Sequence, residues 1–304
     1  EVSLRDALRL VHPTPANQEQ SDLWNRLLSD SLATPDTWEV NLSKATSPEE
    51  KKAVWTNLIE NRKLGASAFL KNMRNMISVG VSPSLIKTGL ASMNVEMLLP
   101  LDFFKAADYA QDYLREIEDA MYRCLASYKK LPGKSVFVVD VSGSMATQIS
   151  NKSTFSRMDA GIAMAILASE MCESISVYAT AGSDGLRTHS TQKIKPYRGF
   201  ALGQEIRNKV RSLGGGGIFT RQCLEYIKTQ EAEAPDRIIV FSDSQDCDFG
   251  NKKKPNPFGK RNYIVDVSSH KNGVNYQGVW TAELSGWSEA FLKYISYIEE
   301  ELQK

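Results

Sequence analysis

The 304-residue chain has only four cysteines and three histidines. Cys124, Cys172, Cys223 and Cys247 lie far apart and form no C-x-x-C pair. That excludes a disulfide-built secreted scaffold and points to a reducing compartment. His189 and His270 have no Cys or acidic residue at metal-binding spacing, which argues against zinc. No apolar run approaches the ~18 residues of a membrane span, and the opening Glu-Val-Ser-Leu-Arg-Asp is no signal peptide. The expectation is a cytoplasmic protein with no membrane partner. An excess of one charge is lacking too: 37 Lys and Arg stand against 36 Asp and Glu, a formal charge of +1, which excludes a histone-like polycation and an acidic-tail protein. Helical spacing begins at once, with Leu4, Ala7, Leu8 and Val11, and we expect a further N-terminal part to precede Glu1.

What is present is ordinary globular material, 42% apolar and 24% charged, enough at this length for two cores. Up to about Tyr128 every long apolar pattern has helical spacing, broken at His12-Pro13-Thr14-Pro15, at Ser47-Pro48 and at Gly80-Val81-Ser82-Pro83. Ser47-Pro48-Glu49-Glu50 is a helix start, with a capping hydroxyl, proline at the first position and acids in the first turn. A helix from about Ser67 places Ala66, Phe69, Leu70, Met73 and Ile77 on one side and Lys71, Arg74, Asn75 and Ser78 on the other. A third helix is expected from Ser82-Pro83-Ser84, and a fourth from Leu101 or Asp102 to about Tyr128. Trp24, Trp38 and Trp55 are expected in the core, and His12-Pro13 as a turn between helices. Successive amphipathic helices with short turns suggest a solenoid without a fixed-period repeat.

After Lys129-Lys130-Leu131-Pro132-Gly133 the pattern changes. Short, nearly continuous apolar runs at 135–139, 175–179, 238–241 and 263–267 alternate with amphipathic helices at 159–173, 203–213, 221–228 and 288–301. Continuous apolar strands are buried on both faces, so a doubly wound, mostly parallel sheet is predicted, with 278–284 as a possible edge strand. The division is therefore 1–130 for the helical region and 131–304 for the α/β domain.

Ligands of doubly wound sheets sit beyond the carboxyl ends of the strands. The first strand ends in Asp140-Val141-Ser142-Gly143-Ser144, three hard oxygen side chains at alternate positions around a turn-forming glycine. Such a group suits Mg²⁺ or another small divalent cation; a serine-rich turn capping a helix is the plainer alternative. A second carboxylate follows the 238–241 strand in Ser242-Asp243-Ser244. The glycine run Gly214-Gly215-Gly216-Gly217-Ile218-Phe219-Thr220 offers a hydroxyl just before a helix. No Gly-Lys-Ser/Thr follows the glycines, so the run is no phosphate-binding Walker loop. No His base stands at a strand end to activate Ser142 or Ser144, and catalysis has no candidate machinery.

These three loops resemble the metal-ion-dependent adhesion site (MIDAS) of the von Willebrand factor A family. The resemblance implies Ser142, Ser144 and Thr220 as direct ligands of Mg²⁺, with Asp140 and Asp243 acting directly or through water. Family members usually read Gly-Gly-Thr, whereas Ile218-Phe219 here separate the glycines from Thr220. In the helical half, Arg9-Leu10-Val11-His12-Pro13-Thr14-Pro15, Thr37-Trp38-Glu39, Val54-Trp55-Thr56-Asn57-Leu58-Ile59, Lys63-Leu64-Gly65 and Leu70-Lys71-Asn72-Met73-Arg74-Asn75-Met76 resemble, in order, the later part of the TROVE module. Together the two halves are similar to the Ro ribonucleoprotein family over essentially the whole chain. The implied fold is α + α/β, HEAT-like helical repeats followed by a doubly wound A domain. The implied partners are small noncoding Y-like RNA, misfolded or single-stranded 3′-end RNA, and, at the metal, an acidic protein partner such as an RNA-processing exonuclease. In that family the repeats form a ring that the A domain closes.

A net charge of +1 gives no global electrostatic footprint, so an RNA site must be local. The densest basic stretch holds Lys252, Lys253, Lys254, Lys260 and Arg261, in the loop leaving the Asp243 strand and expected near the metal site; a solvated loop is the alternative. The Lys71, Arg74 and Asn75 face is the second candidate, because Arg and Asn bond phosphates and unpaired base edges. Lys193, Lys195, Arg198, Arg207, Lys209 and Arg211 form a third cluster. The leading expectation is a non-catalytic RNA-binding protein. The alternatives are an Mg²⁺-dependent protein-interaction adaptor and, behind it, a metal-dependent phosphodiesterase, which two carboxylates at one site serve poorly.

Overall fold

The computed structural model describes residues 3–32, 37–150, 154–248, 254–268, 278–286, 288 and 290–302. Up to Leu125 these form α1 (Leu4–Val11), α2 (Gln18–Leu28), α3 (Trp38–Lys44), α4 (Pro48–Glu60), α5 (Ala66–Ser78), α6 (Pro83–Ser92), α7 (Pro100–Tyr109) and α8 (Leu114–Leu125). The start of α4 is a capping box: the Glu50 amide donates to Ser47 Oγ at 3.1 Å and the Ser47 amide to Glu50 Oε2 at 3.3 Å, with Pro48 in the first turn, so two amides that the helix leaves orphaned are satisfied. His12 closes α1 in the left-handed region, φ 44°. Trp38 stacks on Trp55 with ring centroids 6.0 Å apart. Trp55 is buried, whereas Trp24 is only half-buried and lies outside the core, contrary to expectation.

The helix expected from Leu101 to Tyr128 is two helices. The chain breaks at Ala110 (φ −126°, ψ 53°) and passes through a 3-10 turn, Gln111–Tyr113, before α8 starts. Neither glycine nor proline marks the break. Buried Ala106, Ala110, Tyr113 and Ile117 keep a three-to-four-residue spacing across it, so the apolar period reads as one helix.

The change of architecture falls between Leu125 and Leu131. β1 (Leu131–Asp140), β2 (Cys172–Ser183), β3 (Thr188–Lys193), β4 (Arg237–Ser242), β5 (Arg261–Asp266) and β6 (Ala282–Ser285) form one sheet in the order β3-β2-β1-β4-β5-β6. All neighbours are parallel except β2 and β3. α9 (Arg157–Glu170), α10 (Gly199–Lys209), α11 (Thr220–Gln230) and α12 (Ala290–Glu301) complete this half. The expected helical region followed by a mostly parallel, doubly wound sheet is present. β3 was not foreseen; its Thr-His-Ser-Thr-Gln-Lys sequence is that of a polar edge strand and carries no apolar run.

A continuous apolar core runs from Trp55 in α4 to Ile295 in α12. The two halves meet where Phe104 packs edge-on against Phe200 at 5.5 Å and the Arg198 guanidinium lies 3.9 Å from the Tyr122 ring centroid. The Phe200 amide donates to Glu118 Oε1 at 2.6 Å. No described helix is long and apolar enough to cross a membrane.

On one face of the sheet, the carboxylate of Glu231 is buried where Lys134 of β1 pairs with it, the Tyr178 hydroxyl of β2 donates to it at 2.5 Å and the Lys193 ammonium of β3 lies at 3.1 Å. Burial alone pushes its pKa up, but hydrogen bonds from Lys134, Tyr178, Lys193 and Ser176 outweigh it and hold the group at about 2 against an ordinary 4.5. A lowered folded-state value contributes stability that is present above pH 4.5 and lost as pH falls towards 2. Two lysines still partly in water reduce the effect to about 2 kcal/mol. Glu231→Gln is therefore expected to flatten the fall of unfolding free energy between those two pH values, measured by urea titration. Parallel curves for the two proteins would show that the carboxylate is water-screened.

Candidate metal centre

The strand order reverses between β1 and β4, and such a switch point opens a crevice at the carboxyl ends of the strands. β1 delivers Asp140 there and β4 delivers Ser242 and Asp243. Asp140, Ser142, Ser242 and Asp243 are all buried. The Ser142 amide donates to Asp140 Oδ1 at 2.8 Å, and the Ser242 hydroxyl donates to Asp140 Oδ2 at 2.6 Å. The hydroxyls of Ser142 and Ser144 stand 3.2 Å apart. Burial pushes the Asp140 carboxyl up to about 7, the nearby Asp243 charge adds to the rise, and the two serines oppose it.

The glycine loop closes over this turn. The Gly143 amide donates to the Gly216 carbonyl at 3.2 Å, and a β-carbon on Gly143 would sit 2.8 Å from the Gly215 oxygen. Thr220 opens α11, 5% exposed, with its amide donating to Asp246 Oδ1 at 3.2 Å. Cys223, three residues further along the same helical face, is buried, and burial first, with Asp140 contributing, raises its thiol to about 11. The two residues that interrupt the usual Gly-Gly-Thr spacing are core: Ile218 and Phe219 are buried. The ring of Phe219 occupies the place where a side chain on Gly182 of β2 would be, 2.5 Å from the ideal β-carbon. The insertion is thus absorbed inward, under Gly182, while Thr220 still begins the helix.

Asp140, Ser142, Ser144 and Asp243 come to one crevice, and the loop carrying Thr220 touches it through Gly143. The donor set is hydroxyl and carboxylate oxygen, the chemistry of a hard divalent ion. Among the described residues no three His, Cys, Asp or Glu side chains converge, so an ion here depends on the hydroxyls. The cleft between α7, α9 and α10, lined by Phe104, Asp108, Phe155, Ile162, Phe200 and Arg207 among others, contains none of these five residues.

Sequence reasoning missed two residues of the crevice. Ser242 belongs to the same Ser-Asp-Ser stretch as Asp243 and could have been assigned from it. Arg157 could not: it lies in the first turn of α9, yet its Nη1 donates to Asp243 Oδ2 at 2.8 Å, the side chains 11% and 0% exposed.

The basic residues divide. Lys71, Arg74 and Asn75 are exposed together on α5, and the Arg74 guanidinium lies 5.4 Å from the centroid of the exposed Tyr109 ring. Lys252 and Lys253, like His270, lie outside the described residues. Lys254 is exposed. Lys260 and Arg261 require correction. They lie at the amino end of β5, opposite the crevice, because a parallel β4 and β5 force the connection to cross the height of the sheet. Lys260 pairs with Asp236 at 2.7 Å and Arg261 with Glu299 at 3.3 Å. In the third cluster Lys193, Arg198, Arg207 and Lys209 pair with Glu231, Glu170, Asp159 and Glu205.

Fold and crevice define a class: a helical array joined to a nucleotide-fold-like sheet of the A-domain type, with acids and hydroxyls at the switch point. Residues 29–113 match the model of the TROVE domain. The crystal structure of the Ro (RSR) protein of Deinococcus radiodurans superposes with a TM-score of 0.55 at 16% identity, over 97% of this chain and 70% of that one. No curated protein matches the chain. Residues 29–113 thus resemble a TROVE domain, and the chain as a whole has the fold of a Ro protein.

Proposed function

We propose that this chain is a non-catalytic RNA-binding protein of the Ro type, holding small noncoding or misfolded RNA with an unpaired 3′ end. The observation that carries this reading is the exposed Lys71, Arg74 and Asn75 face, which lies inside the segment matching the TROVE domain. A net charge of +1 gives the chain as a whole no attraction for a polyanion, so binding must come from a local basic face such as this one. RNA contact through two cations releases counterions, so affinity falls steeply with salt. In a gel shift with RNA bearing an unpaired 3′ end, the double reversal Lys71→Glu and Arg74→Glu is expected to weaken binding by about tenfold or more and to reduce the slope of log affinity against log salt by about 2. Binding unchanged by the reversal would remove this face from the function.

At the crevice, Ser142, Ser144 and Thr220 would hold Mg²⁺ directly, with Asp140 and Asp243 completing the set. The ion would supply an open coordination position to a carboxylate of a partner protein. The convergence of Asp140, Ser142, Ser144 and Asp243 also favours a second reading, an Mg²⁺-dependent interaction adaptor that binds no RNA. That protein would purify without absorbance at 260 nm from nucleic acid. It would retain a partner in Mg²⁺ and lose it in Asp140→Ala and Ser142→Ala.

A further inference from the structure

The two carboxylates of the crevice do not face an ion site alone. Arg157 is brought there by its own helix start. The Ser156 hydroxyl accepts the Asp159 amide at 3.1 Å, Asp159 Oδ2 accepts the Ser156 amide at 2.9 Å, and the Arg157 amide donates to the Thr147 carbonyl at 2.9 Å. That ties the first turn of α9 to the turn that follows Ser144. The guanidinium then reaches Asp243 at 2.8 Å, with both groups withdrawn from water. Arginine stays protonated under all ordinary conditions. The charge inventory of the crevice is therefore two acids and one fixed base, a formal −1 where an A-type pair of carboxylates alone would give −2.

We propose that Arg157 is a tethered cation of the ion site, which weakens divalent-ion binding and in exchange makes the loaded site favour a carboxylate ligand. The inference rests on the reading of this crevice as a divalent-ion site. Its logic is electrostatic. A dication among two carboxylates leaves the site neutral, with little pull on an anion. The same ion beside Arg157 leaves a formal +1 in a region of low dielectric, where charges interact far more strongly than in water. The guanidinium would therefore repel the ion and attract an anionic ligand brought to it by a partner. One residue has two effects of opposite sign, whereas a residue that merely positioned Asp243 would lower ion affinity when removed.

The test uses the full chain, Mn²⁺ as the ion probe and acetate as the carboxylate probe, followed by electron paramagnetic resonance and water-proton relaxation. Arg157→Gln is expected to bind Mn²⁺ about tenfold tighter than the unsubstituted protein, and its loaded form to bind acetate about tenfold more weakly. Arg157→Lys, which keeps the charge, is expected to stay near the unsubstituted protein in both. Should Arg157→Gln fail to fold by circular dichroism, Arg157→Met fills similar volume without a charge and carries the same expectations. Equal or weaker Mn²⁺ binding in the neutral variant overturns the inference while leaving the ion site in place. Tighter Mn²⁺ binding with unchanged acetate affinity overturns the claim about the ligand. Absence of Mn²⁺ binding in every variant, the unsubstituted chain included, overturns the ion-site reading and this inference with it.

Discussion

Glu299→Ala is expected to cost about 3–5 kcal/mol of folding stability, the penalty for leaving a buried charge without its partner. Glu299 lies in α12 and meets Arg237, the first residue of β4, in a two-pronged pair: Nε to Oε1 at 2.8 Å and Nη2 to Oε2 at 2.8 Å. The side chains are 2% and 5% exposed, so water cannot replace the missing acid. Arg237 Nη1 also donates to Ser135 Oγ at 2.9 Å, and the Tyr263 hydroxyl donates to Glu299 Oε1 at 3.3 Å. One carboxylate thus fastens the C-terminal helix to the amino ends of β4 and β5 and, through Arg237, to β1. The double variant Arg237→Met with Glu299→Leu removes both charges while keeping volume, and is expected to return to within about 1–2 kcal/mol of the original. Urea unfolding followed by far-ultraviolet circular dichroism measures both. A cost below about 1 kcal/mol for the single variant would mean that Arg237 finds another partner, and Arg261 beside it would make that a surprising result.

That clasp was invisible in the sequence, and the reason is general to the parts that were missed. β1, β2, β4 and β5 were legible because strands buried on both faces must be apolar throughout, and the capping box at Ser47 was legible because its partners are three residues apart. Asp140, Ser142, Ser144 and Asp243 could be placed together because a doubly wound sheet sends the residues after its strands to one end. Interactions between distant residues leave no local trace. Arg157 reads as an ordinary polar residue in a helix start, and only the packing of α9 against β1 and β4 carries it to Asp243. Lys260 and Arg261 read as free cations in a lysine-rich loop, yet they end beside Asp236 and Glu299, acids that no spacing connects to them. β3 is polar because it is an edge, and the break at Ala110 hides because the core it faces is continuous across it.

At the proposed ion site, Gly143→Ala is expected to separate ion binding from folding, lowering divalent-ion affinity about 10- to 100-fold, as loss of supporting contacts around a metal typically does, while shifting the unfolding temperature of the ion-free protein little. The backbone of Gly143 is not in the left-handed region, so alanine is not strained there. What it lacks is room: its β-carbon would fall 2.8 Å from the Gly215 carbonyl oxygen, and a backbone atom must move. Gly215 can yield, since it sits at φ 67° in a loop with open space around it. The two loops part, and the hydrogen bond from the Gly143 amide to the Gly216 carbonyl is lost. Gly182→Ala makes the contrast. There the β-carbon would meet the Phe219 ring at 2.5 Å and the Thr188 carbonyl at 2.6 Å, both fixed in the packed sheet. The expected result is a loss of about 1–3 kcal/mol or more in stability together with the loss of ion affinity. Calorimetric titration with Mg²⁺ alongside thermal unfolding distinguishes the two glycines. Unaltered ion affinity in Gly143→Ala would show that the glycine loop does not form a wall of the proposed site.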